Sequence, residues 1–164
     1  MGKHFEKMRE VAKHQGGVFA NYQVEVPKQA IHYHAKNDHL ERLETGIYRV
    51  VDFPTSEDEE YIVAYLWSEQ EGSISHQTAL FVHELSDVLP NRIHLTVPES
   101  WSTRNKRIPG SYELHYADLA DRETQWYDAV PVTTPLRTIE DVALDGLDPD
   151  LVEQAIDEAK GRGL

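Results

Sequence analysis

The chain has 164 residues, with 29 Asp and Glu against 16 Lys and Arg, a formal net charge of −13 and no cysteine. That length fits one ordinary domain or two small ones, and without cysteines there are neither disulfides nor thiolate metal sites. No run approaches the ~20 apolar residues of a membrane span, and no apolar stretch follows Lys3, Lys7 and Arg9 as it would in a signal peptide, so a cytoplasmic protein with no membrane partner is expected.

Phe5, Met8, Val11 and Ala12 recur at three- and four-residue spacing, which predicts a helix over residues 3–14. Gly16-Gly17 ends it, because glycine takes the left-handed C-cap conformation without steric cost. Residues 21–26 read as a short second helix. Pro27, tolerated at a first helical position, opens a third over 28–36, with Ala30, Ile31 and Ala35 turned inward. After the Asn37-Asp38 turn, residues 40–51 read as two short strands around Glu44-Thr45-Gly46. Three helices and a hairpin within some fifty residues is the order of a winged helix-turn-helix, expected over 1–52.

Residues 52–60 carry five acids and no base and mark the expected boundary. A helix over 57–70 follows, its acidic first turn suited to the positive end of the helix dipole. Ser75 is placed to cap a helix over 76–85. Residues 92–97, 111–119 and 129–133 read as strands, with a loop bearing Arg104, Lys106 and Arg107 between the first two. Thr134-Pro135 and Asp148-Pro149 start two more helices, the last with Leu151, Val152, Ala155, Ile156 and Ala159 on one face. The expected fold class is α+β: a winged helix-turn-helix followed by a small acidic α/β domain over 58–164.

Charge is uneven along the chain. Residues 1–50 carry eight bases against six acids, a balance of +2, with five histidines besides; residues 51–164 carry eight bases against 23 acids. At physiological salt a charge is felt over roughly 8 Å, so a basic face on the first domain can act locally despite the acidic total. A recognition helix must offer donors and acceptors to base edges while its other face joins the core. In the third helix the outward residues are Lys28, Gln29, His32, Tyr33 and Lys36. Gln suits adenine, Lys suits guanine or phosphate, and His and Tyr reach phosphate. Arg42 and Arg49 lie on the hairpin, where a basic tip can meet the backbone or minor groove. These seven residues are the expected DNA-binding set. The net charge motivates a second reading, an interaction adaptor whose helix-turn-helix does not bind DNA.

Nothing points to catalysis or to a cofactor. His76 and His83 lie two helical turns apart and His94 and His115 fall on predicted strands, but no compact zinc motif appears, so no metal is expected. A metal-dependent nuclease needs an acid near a Glu-x-Lys. The one Glu-x-Lys, Glu158-Ala159-Lys160, falls on the last helix, away from any central strand. No catalytic residues are assigned.

The segments HQGGVFANYQ and PKQAIHYHAKNDHLERLETGIYRV, followed by SHQTALFVHELSDVLPNRIHLTVPESW, RIPG and LHYADL, and VPVTTPLRTIEDVA, resemble the AbiEi-type antitoxin and transcriptional-regulator family from about residue 8 to the end. The most specific parts are Leu40, Arg42, Gly46, Tyr48 and Arg49 in the hairpin, the Ser75-His76 and Thr78-Ala79-Leu80 helix start, and Thr134-Pro135-Leu136-Arg137-Thr138. The turn at Glu25-Val26-Pro27 is shorter than the family's usual form, with proline in place of the customary serine cap, and the sequence ends at Leu164 where many relatives continue. The resemblance implies a type IV toxin–antitoxin system. The antitoxin there represses its own operon and counters a nucleotidyltransferase-type toxin without a stable complex. From the helix-turn-helix order and the local charge balance themselves, double-stranded promoter DNA carrying an inverted repeat, with a dimer on it, is expected.

Overall fold

The computed structural model describes residues 2–164. The chain is α+β, with six α-helices and two sheets among the described residues, and it divides into two compact units, 1–70 and 71–164.

In the first unit, α1 (Lys3–Ala12) buries Phe5, Met8 and Ala12, the predicted face. Gly16 and Gly17 turn the chain at positive φ. A β-carbon on Gly17 would lie 2.5 Å from Cβ of Phe53, so this position excludes any side chain. Strand β1 (Val18–Ala20) follows and is fully buried. A 3-10 turn (Asn21–Gln23) stands where a second helix is predicted. The Gln23 side chain takes the backbone N–H of Ala20 at 2.9 Å and pairs with Gln15, which holds this turn short. Next come α2 (Lys28–Lys36) and the hairpin of β2 (Leu40–Glu44) and β3 (Ile47–Val50). The antiparallel sheet has the order β1-β3-β2. Phe5, Met8, Phe19, Ile31, Leu40 and Val50 form the core between sheet and helices.

Helix α3 (Glu59–Trp67) packs on β1, β2 and β3 and is buried from Tyr61 to Trp67. It therefore belongs to the first unit, and the division falls between Gln70 and Glu71 rather than in the acidic stretch at 52–58.

The second unit is built on a five-stranded sheet of order β6-β5-β4-β8-β7. Its strands are β4 (Ser73–Ile74), β5 (Ile93–Val97), β6 (Tyr112–Tyr116), β7 (Thr124–Tyr127) and β8 (Val130–Thr133). The β4–β8 and β5–β6 pairs are parallel, the β4–β5 and β7–β8 pairs antiparallel. Helices α4 (His76–Val82), α5 (Pro135–Leu144) and α6 (Pro149–Gly161) pack in series. They share a core of Leu80, Leu85, Val88, Val142, Ala155 and Ala159. Thr134 and Asp148 cap α5 and α6 through their side chains, as their Pro-flanked positions predict. Ser75 does not cap α4. Its hydroxyl accepts from Thr96 at 2.7 Å and meets Nδ1 of His76 at 2.8 Å.

Candidate nucleic-acid interface

Helix α2 contains no acidic residue and presents two unlike faces. Ile31 and His34 are buried, while Lys28, Gln29, His32, Tyr33 and Lys36 are exposed. At 100° per residue those five fall within an arc of about 140°. Lys28, Gln29, His32 and Lys36 make no side-chain hydrogen bond or ion pair among the described residues. Tyr33 projects with 59% of its surface exposed. Asn37 closes the C-terminus by donating its side-chain amide to the carbonyl of Tyr33 at 2.8 Å.

The helix is held from behind by aromatic packing. The His34 ring lies 4.7 Å from the Phe5 ring, centroid to centroid, and its Nδ1 is 2.8 Å from Nδ1 of His39. Burial, and then the neighbouring His39, push the His34 imidazole below its ordinary pKa. A neutral His34 suits this contact, because one Nδ1 must accept while the other donates.

The two hairpin arginines differ. Arg42 is exposed and its guanidinium donates to the hydroxyl of Thr45 at 3.0 Å, at the tip of the hairpin. Arg49 is turned away from solvent. It pairs with Glu41 and with Glu59, the latter at 3.2 Å, and donates to the carbonyl of Phe53 at 3.3 Å. Arg49 thus ties β3 to β2 and to the N-terminus of α3 and leaves the DNA-binding set. Its sequence signal, a base on a hairpin, is the same as that of Arg42. Only the chain-distant Glu59 separates them.

The moved unit boundary changes the electrostatics too. Residues 1–70 hold eight bases and twelve acids, so the first unit is acidic in total, and its bases in no ion pair among the described residues are Lys3 and Lys7 on α1, Lys28 and Lys36 on α2 and Arg42 at the hairpin tip. Arg9 pairs with Asp52 and Lys13 with Glu10, which offsets two further bases.

In the second unit the Arg104 guanidinium stacks on Trp101 at 3.9 Å and stands 4.0 Å from Glu71. Lys106 lies 5.4 Å from the same ring, so this loop is organised around the indole. Glu158 pairs with Arg162 on α6, a helix-surface contact that leaves the Glu-x-Lys without a neighbouring metal-binding acid from a strand. His76 and His83, expected on one helix face, diverge: His83 Nε2 meets the carbonyl of Thr133 at 2.7 Å. His76 instead stacks on His115, centroids 3.4 Å apart and planes 9° from parallel. Nδ1 of His94 lies 2.9 Å from Nε2 of His115, completing a cluster of three. Burial is the main cause that holds all three below the usual imidazole range, His76 at about 3. The sequence shows no signal for this cluster beyond two histidines on alternating strands, because the β5–β6 register is a long-range property.

No family model matches the chain, and no curated protein is similar to it. Among solved structures it is similar to the Rv2827c protein of Mycobacterium tuberculosis, with a TM-score of 0.59 at 15% sequence identity. The match covers 93% of this chain and 65% of that one, so the chain spans a little under two thirds of that protein's length. A likeness at this identity is one of fold.

Proposed function

We propose that the chain is a DNA-binding transcriptional repressor, that its first unit is a winged helix-turn-helix, and that it serves as the antitoxin of a type IV toxin–antitoxin system. The observation that carries the reading is the exposed face of α2: five side chains able to contact bases or phosphates, no acid among them, and four with no side-chain hydrogen bond or ion pair among the described residues. The order of α1, β1, the 3-10 turn, α2 and the β2–β3 hairpin supports it, with Arg42 at the hairpin tip as the wing contact. Lys28, Gln29, His32, Tyr33, Lys36 and Arg42 form the interface. Gln29 and Lys28 are the base readers and Lys36 and Arg42 the phosphate contacts. The antitoxin role rests on the family resemblance of the sequence and belongs to the second unit, which acts without catalysis.

Footprinting the intact protein on the DNA upstream of its own gene tests the first part. Protection of an inverted repeat, weakening steeply with salt, is the expected result; no protection at low salt refutes it. Co-expression with the neighbouring nucleotidyltransferase-type toxin tests the second part, and restored growth is expected.

A further inference from the structure

We propose that His76, His115 and Asp145 form a binding site for one divalent transition-metal ion of the zinc class. The three residues come from different elements of the second unit: the first residue of α4, strand β6, and the C-cap of α5. One candidate ligand atom from each lies within 4.8 Å of the others. Around a tetrahedral ion with bonds of about 2.0–2.2 Å the ligand atoms stand roughly 3.3–3.6 Å apart, so an inward movement closes the site.

The surroundings match what a metal-binding histidine requires. Such a ring has its second nitrogen held by an outer partner that fixes its orientation. His76 has Ser75, whose hydroxyl is 2.8 Å from Nδ1 and is itself anchored by Thr96. His115 has His94, 2.9 Å from Nε2. His76 is also committed by its backbone, at φ 52, a left-handed conformation that a histidine adopts at some cost. That conformation sits at the corner where β4 turns into α4.

A second observation comes from α5. Asp141, one helical turn before Asp145, gives one carboxylate oxygen to Arg137 at 2.9 Å. Its other oxygen, Oδ2, is buried and has no hydrogen-bond partner. Asp141 and Asp145 both act electrostatically on His115. A buried carboxylate oxygen without a donor thus stands one helical turn from Asp145, close enough to the histidine cluster to act on His115.

Two imidazoles and a carboxylate favour zinc, cobalt or nickel over magnesium or calcium. Asp145 is exposed and His76 buried, so the site opens at the carboxylate and a water can complete the coordination. The His76 and His115 rings lie 9° from parallel, and because Ser75 engages Nδ1 of His76 and His94 engages Nε2 of His115, the nitrogens left for the ion are Nε2 of His76 and Nδ1 of His115.

The test uses the full chain stripped with a chelator and titrated with Co2+, Zn2+ and Mg2+. One equivalent of Co2+ giving tetrahedral d–d absorption, displaced by Zn2+, with a higher Tm in Zn2+ than in Mg2+, is the expected result. Asp145→Asn, at an exposed position, leaves the metal-free Tm unchanged and weakens binding at least tenfold. His115→Gln abolishes the absorption, and Asp157→Asn on α6 does not affect it. Zn2+ affinity equal in wild type, Asp145→Asn and His115→Gln would overturn the site, as would a response to Mg2+ as strong as that to Zn2+. These readouts are independent of DNA binding, so the two proposals stand or fall separately.

Discussion

If α2 reads DNA as proposed, the side chains on its exposed face separate into two kinds of contact. Gln29→Ala removes one side-chain amide, whose donor and acceptor suit a single base, and is expected to relax preference at a single operator position by roughly 1–3 kcal/mol. Lys36→Ala weakens binding to all sequences alike and lowers the salt slope by about one unit. Titrations of operator and scrambled DNA at several salt concentrations distinguish the two, and unchanged affinity in both variants excludes α2 as the reading helix. Arg49 behaves differently because its guanidinium is occupied by Glu41, Glu59 and the Phe53 carbonyl. Arg49→Ala strips a half-buried Glu59 of its partner and should cost roughly 1–3 kcal/mol of stability in urea unfolding. Its effect on DNA affinity at temperatures where the unit stays folded should be small.

The element behind the interface is the His34–His39 pair. His34 takes up a proton only below its ordinary pKa in the folded protein, whereas in the unfolded chain it does so near about 6.5. The unfolded state therefore binds more protons in that range, and stability rises with pH there. Stability from this group is level above about pH 6.5 and falls as the pH drops through that value toward the lowered pKa of the folded state. Urea unfolding read by the fluorescence of Trp67, the one tryptophan of the first unit, checks it: His34→Gln should flatten the acid side of the profile. An imidazole NMR signal of His34 that titrates at the ordinary value would contradict it. At the start of the same sheet, Gly17→Ala forces a β-carbon into Phe53 at a φ of +85°, and a loss of roughly 1–3 kcal/mol is expected in the same assay.

For the whole molecule the consequential element is α3. It packs on all three strands of the β1-β3-β2 sheet and is buried from Tyr61 to Trp67, so a fragment ending at residue 50 loses this cover from the sheet. Residues 1–50 are expected to show no cooperative thermal transition, and residues 1–70 to show one and to bind DNA weakly. Equal folding of the two fragments would count against α3 as part of that unit. The unit carries four more acids than bases, so the DNA affinity expected under the proposed function should rest on the local α2 face and decline sharply with salt.

Local physics was legible in the sequence. Apolar periodicity located α1, α2 and α6; Thr134-Pro135 marked the start of α5, and Asp148 capped α6; and the polar face of α2 was readable because helical spacing alone sorts Lys28, Gln29, His32, Tyr33 and Lys36 from Ile31. Strands β1 and β4, three and two residues long, are too short to alternate, and the edge strand β7 has no buried face to produce a pattern. The features that only the tertiary structure decided all depend on partners far along the chain. Glu59 withdraws Arg49 from the surface across ten residues. The packing of α3 on β1, β2 and β3 moves the boundary to Gln70. His94 and His115, twenty-one residues apart, meet through the β5–β6 register while α4 delivers His76 to them. A sequence states which groups are available; which distant group each one meets is set by the packing of the assembled chain.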